Sequence, residues 1–324
     1  MSKIPYVIDC DTGTDDAIAI ICALLAQDRL DIKAFTTVAG NVEVTKTSAN
    51  TLNIVDQLGF DIPVAKGAAA PLRRELYTAI SHGTTGLGNV VLPSSPRGLY
   101  DKDGADTLYH FAKECEGELC VLAVGPLTNL ALALTRYPEI KHMIKQITIM
   151  GGALVGGNMT PTSEFNMWVD PDAAKIVFDS GIPLTMIGLD VTLKCKVPLP
   201  VYERICSISN PFAELAARIF RYMLHRNETT GVSLYGTVEL NEAFVHDALA
   251  LAVTVRPDLV KTRKYFMTVE TQGDITRGMT VADFNDVMQK EPNVDAAVEV
   301  DVEAFWAWMV ELLENGPNRV GRER

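Results

Sequence analysis

Asp9-Cys10-Asp11-Thr12-Gly13-Thr14-Asp15-Asp16 places four carboxylates within eight residues, and the nearest cationic side chains in sequence are Lys3 and Arg29. Before this stretch, Tyr6-Val7-Ile8 reads as a buried strand; after it, Ala17 to Ala26 is apolar all round, as a core helix is. A strand, an acidic turn and a helix in that order set the acids at the carboxyl edge of a parallel sheet, where open α/β folds bind ligands. Asp15 and Asp16 fall at the helix start, where the dipole favours negative charge by ~0.3–1 kcal/mol each. Repulsion between unit charges about 4 Å apart is ~4 kcal/mol at an effective dielectric of about 20, so the dipole does not hold four anions together. A bound hard cation resolves the conflict, and oxygen-only ligands point to Ca²⁺ or Mg²⁺ over zinc.

Simpler readings explain only part of the stretch. An Asp-Asp pair alone is ordinarily a helix cap with a first-turn charge. An EF-hand loop counted from Asp9 needs Gly at its sixth position and Glu at its twelfth, where this chain has Thr14 and Ile20. The aspartyl-phosphate phosphatase pattern matches up to Thr12 and leaves Asp15-Asp16 unexplained.

Composition narrows the class. The chain has 324 residues, 48% of them hydrophobic, which supports a substantial core and excludes disorder. No linker rich in Pro, Gly or Ser divides it, so residues 1–324 are expected to form a single domain. A net charge of −12 argues against nucleic acid and anionic membranes as partners and for a small neutral or cationic ligand. Cys10, Cys22, Cys115, Cys120, Cys195 and Cys206 show no CxxC or zinc spacing and read as reduced, buried thiols. The longest apolar run, Ala17 to Ala26, is shorter than the ~20 residues that span a bilayer, and no signal-peptide core is seen near Met1; the cytoplasm is the expected compartment.

Further turns repeat the first pattern. Asp31 to Val38 reads as a strand, and Gly40-Asn41-Val42 turns it into a helix from about Thr45 to Leu58, so Asn41 stands at a second strand edge. Leu72 to Tyr100 lacks a clean period and carries Ser81-His82-Gly83 to Gly88, a connection long enough to be functional. Leu119 to Val124 is a buried strand before Gly125-Pro126-Leu127-Thr128-Asn129, whose exposed carbonyls suit a hard cation. Gln146 to Met150 leads through a long loop to Asn158, Glu164, Phe165 and Asn166; amides beside a carboxylate suit sugar hydroxyls, which both donate and accept. Pro183 to Gly188 is a further strand, Pro200 to Arg226 is mainly helical, and Tyr222 to Tyr235 is a polar, aromatic-flanked stretch expected to face a ligand. His246-Asp247 opens an apolar helix, Arg263 to Glu270 and Val294 to Val300 read as strands, and Val302 to Leu313 is a last helix with Trp306 and Trp308 as packing residues.

Taken together, Asp-x-Asp-x-Gly-x-Asp-Asp, Gly40-Asn41-Val42, His82-Gly83 to Gly88, Gly125 to Asn129, Glu164-Phe165-Asn166 and His246-Asp247 make the chain resemble the inosine-uridine preferring nucleoside hydrolases. The resemblance runs from Asp9 to about Gly278. It implies an α/β domain with a mostly parallel central sheet flanked by helices, an active site at the carboxyl edge, a Ca²⁺ cofactor, and a homodimer or homotetramer. By position it makes Asp11, Asp16, Asp247 and the carbonyl of Thr128 the Ca²⁺ ligands, with Asp9 supporting the acidic loop. Asp15, Asn41, Asn158, Glu164 and Asn166 would hold ribose, and His82, Phe165, Tyr222, His225, Tyr235 and His246 would face the base. Asp11 would take a proton from the attacking water, and His246, with His82 nearby, would protonate the departing base. Thr12, Cys10 and Ala248 differ from residues frequent in that family, and none removes a ligand. The two histidines lean towards inosine-uridine or pyrimidine substrates.

Two other readings stay open on the residues alone. One is a Mg²⁺-dependent phosphatase with Asp9 or Asp11 as nucleophile, which leaves Asn41 and Glu164-Phe165-Asn166 without a role. The other is a non-catalytic ribose- or nucleoside-binding sensor, whose signature would be loss of Asp11 or His246; both are present.

Overall fold

The run before the acidic turn is a strand, β1 (Ile4–Cys10), and its last five residues are buried. A strand buried on both faces needs parallel neighbours and covering helices. Its neighbours are β2 (Leu30–Thr37) and β4 (Leu119–Ala123), both parallel to it. The description rests on a computed structural model that covers residues 3–230 and 243–320. The remaining strands are β3 (Val64–Lys66), β5 (Ile144–Met150), β6 (Leu184–Ile187), β7 (Val260–Tyr265), β8 (Met267–Val269), β9 (Thr280–Ala282) and β10 (Val294–Val300). Among the described residues, eight form one sheet in the order β3-β2-β1-β4-β5-β6-β10-β7, parallel except for β7, while β8 and β9 pair separately. The expected α/β architecture is therefore present.

Helices cover both faces. They are α1 (Thr14–Leu25), α2 (Val44–Gln57), α3 (Gly104–Glu114), α4 (Thr128–Arg136), α5 (Phe165–Val169), α6 (Pro171–Phe178), α7 (Leu189–Thr192), α8 (Leu199–Cys206), α9 (Pro211–Thr230), α10 (His246–Val255) and α11 (Val302–Val320). Tyr6, Ile8 and Cys10 point from β1 into a core shared with α1, α9, α10 and α11, and Val7 points the other way into a core shared with α3, α4 and α6. Every residue of α1 is buried, and α10 packs against it, which is why both helices are apolar all round.

Chain order turns this sheet into a site. From β1 the chain winds outward to β2 and β3, then returns to place β4 on the other side of β1. The crevice at such a reversal lies outside the carboxyl ends of the strands. Asp9 to Asp16 leave β1 on one side of it, and Gly125 to Asn129 leave β4 on the other.

Four local expectations change. The short edge strand β3 is a three-residue run that sequence periodicity does not mark. Arg263 to Glu270, read as one strand, divides at Phe266 into β7 and β8, because the Asn293 side chain accepts from Met267 N and donates to Met267 O, taking the place of a ladder partner. Helix α9 continues to Thr230 through most of the stretch expected to face a ligand, and residues 231–242 lie outside the described residues. Cys206 is exposed rather than buried. No helix among the described residues is long and apolar enough to cross a membrane.

Candidate active site

The acidic turn folds onto itself because backbone amides need acceptors at the start of α1. Asp16 takes them: its Oδ1 accepts Asp11 N at 3.1 Å, and its Oδ2 accepts Gly13 N and Asn41 Nδ2, each at 2.9 Å. Asp11 Oδ2 accepts the amide of Asn41 at 2.7 Å, which ties the β2 edge to the β1 edge. Its other oxygen, Oδ1, is buried with no hydrogen-bond partner. Asp9 Oδ1 accepts Thr36 Oγ1 at 2.5 Å and Asn129 Nδ2 at 2.7 Å, which joins the end of β1 to β2 and to α4.

Helix α10 delivers the remaining acid. Asp247 is buried in its first turn, and one carboxylate oxygen each from Asp15, Asp16 and Asp247 fall within 4.8 Å of one another. Burial holds the Asp11 and Asp247 carboxyls well above the usual carboxylate range, and repulsion from neighbouring acids adds to it; Asp16 is raised by burial against the amides it accepts. Burial pushes Asp9 up to about 7, opposed by Thr36 and Asn129. A set of carboxylate oxygens, two of them (Asp9 Oδ2 and Asp11 Oδ1) buried without a donor among the described residues, fits a hard divalent cation, whose attraction would outweigh these repulsions.

Above the acids lies a cavity of about 340 Å³, within the range of small-molecule sites. Its lining combines the polar side chains of Asp15, Asn41, Asp247, Glu164 and Asn166 with the apolar ones of Ile80, Met159, Phe165, Met223 and Phe244. Glu164 caps the short helix α5, its Oε1 accepting Asn166 N and its Oε2 accepting Met167 N and Gly152 N. Burial still pushes its carboxyl up to about 7. Asn166 donates to the carbonyls of Val124 and Met150, joining α5 to the ends of β4 and β5, and Asn158 Oδ1 accepts Phe165 N at 2.9 Å.

Two histidines line the same cavity. The amide of Thr14 donates to His82 Nδ1 at 3.0 Å, which assigns the ring proton to Nε2 and makes His82 a neutral donor there. His246 pairs through Nδ1 with Thr192 Oγ1 at 2.8 Å and stacks against Phe244.

Four expected positions need correction or restriction, and two more, Asp11 and Asp16, are not part of the cavity's lining. Thr128 does not line the cavity: it is the first residue of α4, its carbonyl runs with the helix, and its hydroxyl donates to Asp170 Oδ2 at 2.7 Å. Val124, at the end of the same strand, does line it. Tyr222 is buried beneath the His82 loop with its ring against Gly88, and exposed His225 does not line the cavity either. Tyr235 lies outside the described residues. Among the residues that sequence reading missed, Tyr77, Val124, Met223 and Phe244 offer a backbone atom, a ring or an apolar surface and so carry no mark that separates them from core, while Thr14 holds His82 through its amide and its hydroxyl.

Residues 6–307 match the family model described as inosine-uridine preferring nucleoside hydrolase. The chain is 40% identical over 306 residues to the pyrimidine-specific ribonucleoside hydrolase RihA of Escherichia coli O1:K1, covering 93% of this chain and 96% of that one. Among solved structures it is similar to a purine-preferring ribonucleoside hydrolase from Gardnerella vaginalis, with a TM-score of 0.88, 34% identity, and 96% and 98% of the two chains covered. A plant nucleoside hydrolase, PpNRh1, gives 0.89 at 31% identity, covering 97% of this chain and 99% of that one.

Proposed function

The chain belongs to the inosine-uridine preferring nucleoside hydrolase family, and from that premise we propose that it is a Ca²⁺-dependent ribonucleoside hydrolase that favours pyrimidine nucleosides. The observation that carries the proposal is one cavity lined by Asp15 and Asp247 of a buried acidic cluster and by His82 and His246. The preference for pyrimidines is supported by the RihA relatives.

Asp11, Asp16 and Asp247 would hold the cation, with the carbonyl of Val124 in place of that of Thr128, and Asp15 would hold ribose hydroxyls. What a hard cation supplies there is Lewis acidity towards a water and a positive charge that holds the ribose diol. Asn41, Asn158, Glu164 and Asn166 orient the sugar; Glu164, fixed by three amides, keeps its position as substrate enters. Asp11 accepts the proton of the attacking water. As the N-glycosidic bond breaks, the ribose ring gains oxocarbenium character, and the acids beneath it stabilise that charge. His246 gives its proton to the departing base, with Thr192 orienting its ring. His82, as an Nε2–H donor, hydrogen-bonds an acceptor on the base. A homodimer or homotetramer, implied by the same family, is part of this proposal.

The test is release of free ribose from uridine, cytidine, inosine and adenosine without phosphate, before and after chelation. Ribose that appears only with Ca²⁺, fastest from the pyrimidines, and disappears in Asp11→Ala, is the expected result. Nucleoside that binds tightly while no ribose forms would support a sensor instead.

A further inference from the structure

We propose that Tyr77 is a nucleobase-recognition residue, and that Trp168 and Arg277 are positioning residues that set its ring. The inference rests on the reading that this cavity takes a ribonucleoside. Tyr77 lines the cavity from the long connection between β3 and α3, which also brings Ala79, Ile80, Ser81 and His82 to its lining. It is 44% exposed, so part of its surface stays open beside the cavity.

Its orientation is built rather than incidental. Trp168 meets it edge to face, with ring centroids 5.1 Å apart and an interplanar angle of 87°. The guanidinium of Arg277 covers the indole at 4.9 Å from the ring centroid, and Arg277 Nε is buried without a hydrogen-bond partner, so the indole is a main contact of that group. Ser163 Oγ donates to the carbonyl of Arg277 at 2.6 Å. Gly278, at φ +82, lets the chain press on Trp168, where a Cβ would fall 2.6 Å from Trp168 Cα. The connection that bears Tyr77 is pinned separately, by Arg74 Nη2 donating to the carbonyl of Thr271 at 2.6 Å. Three segments distant in sequence therefore converge on one aromatic stack.

The stack also fixes a distance. Trp168 lies on α5 with Asn166, and Glu164 caps that helix, so the element that brings Glu164 and Asn166 to the cavity also carries the ring that meets Tyr77. A planar heteroaromatic ring attached to the sugar has its π-face available to Tyr77, and such contacts tolerate any base because every base has one. Tyr77 would thus supply affinity for the base as a class, leaving discrimination among bases to the hydrogen-bonding groups.

Kinetics of the metal-loaded enzyme test this. A contact made equally in the ground and transition states shows in KM alone. Tyr77→Ala is expected to raise KM for uridine and inosine at least about fivefold, the lower range of a lost base–aromatic contact, with kcat within twofold. Inhibition by free ribose, which carries no base, should be unchanged. Tyr77→Phe should keep the wild-type KM. Trp168→Leu should raise KM in the same sense while Trp168→Phe restores it, as a positioning role requires. KM within twofold of wild type in Tyr77→Ala overturns the inference, and so does a fall in kcat together with weaker ribose inhibition, which would mark a structural role. Failure of the wild-type enzyme to release ribose from any nucleoside would instead overturn the reading beneath it.

Discussion

Asp16 and Asp11 are the same residue type in one turn, and their hydrogen bonds give them different capacities. Asp16 accepts from two amides and the Asn41 side chain, so it is fixed in place; Asp11 keeps an oxygen with no donor, so it has capacity left for a cation or a water. The histidines divide in a similar way. His82 faces the Thr14 hydroxyl at Nδ1, but it also accepts there from the Thr14 amide, which can only donate and so leaves the ring proton on Nε2. His246 faces a hydroxyl that can donate or accept, so its ring can give up a proton and be rebalanced by Thr192. His246→Ala is therefore expected to lower kcat for uridine by ~10²–10⁴, the usual worth of a positioned acid. An activated p-nitrophenyl riboside, whose leaving group needs no proton, should be turned over nearly as well as by the wild type. Equal losses on both substrates, measured in parallel, would take the proton-donor role from His246.

At the scale of elements, the site is made by turns that crowd together at the strand edges, and two glycines permit it. A Cβ on Gly40 would fall 2.2 Å from Asp11 Oδ2, and one on Gly125 would fall 2.8 Å from Asp11 Oδ1. Gly40→Ala should push Asp11 out of place, costing ~1–3 kcal/mol of stability by overpacking and lowering both Ca²⁺ affinity by calorimetry and ribose release. Gly98→Ala, where a Cβ meets nothing within 4 Å, is the matched control and should change neither. These edge turns were also what the sequence made readable. Asp9 to Asp16, Gly40-Asn41, Gly125-Pro126 and Glu164-Phe165-Asn166 announce themselves because polar residues and glycines interrupt apolar runs at a parallel-sheet edge. The cavity-lining position of Val124 did not, since Val124 reads as the last residue of a strand and a carbonyl has no residue type. The apolar wall did not either: Met223 and Phe244 follow the same patterning rules whether they pack against a core or against a base. The division of Arg263 to Glu270 into β7 and β8 was hidden for a third reason. It depends on the Asn293 side chain, which comes from a segment remote in sequence.

Across the whole molecule, the buried acids make stability depend on pH in the direction opposite to that of paired surface carboxylates. Burial raises Asp9 and Glu164 to about 7. A carboxyl whose folded pKa lies above its unfolded value keeps its proton in the native state where the unfolded chain has released it. Between about pH 4 and pH 7 the folded state therefore binds more protons, and stability falls as pH rises; above about pH 7 the cost levels off. With a chelator present, the melting temperature should drop between pH 5 and pH 7.5. The net charge of −12 adds general self-repulsion in the same range. Ca²⁺ should oppose this, because it binds the folded cluster and not the unfolded chain, giving ~2.7 kcal/mol at a hundredfold excess over Kd. Protons compete for the same carboxylates, so the rise in melting temperature on adding Ca²⁺ should be larger at pH 7.5 than at pH 5. Scanning both conditions over that range separates the two terms. A chelated protein that became more stable from pH 5 to pH 7.5 would show that Asp9 and Glu164 ionise in the native fold at little cost. The electrostatic case for a cation would then rest on Asp11, Asp16 and Asp247 alone.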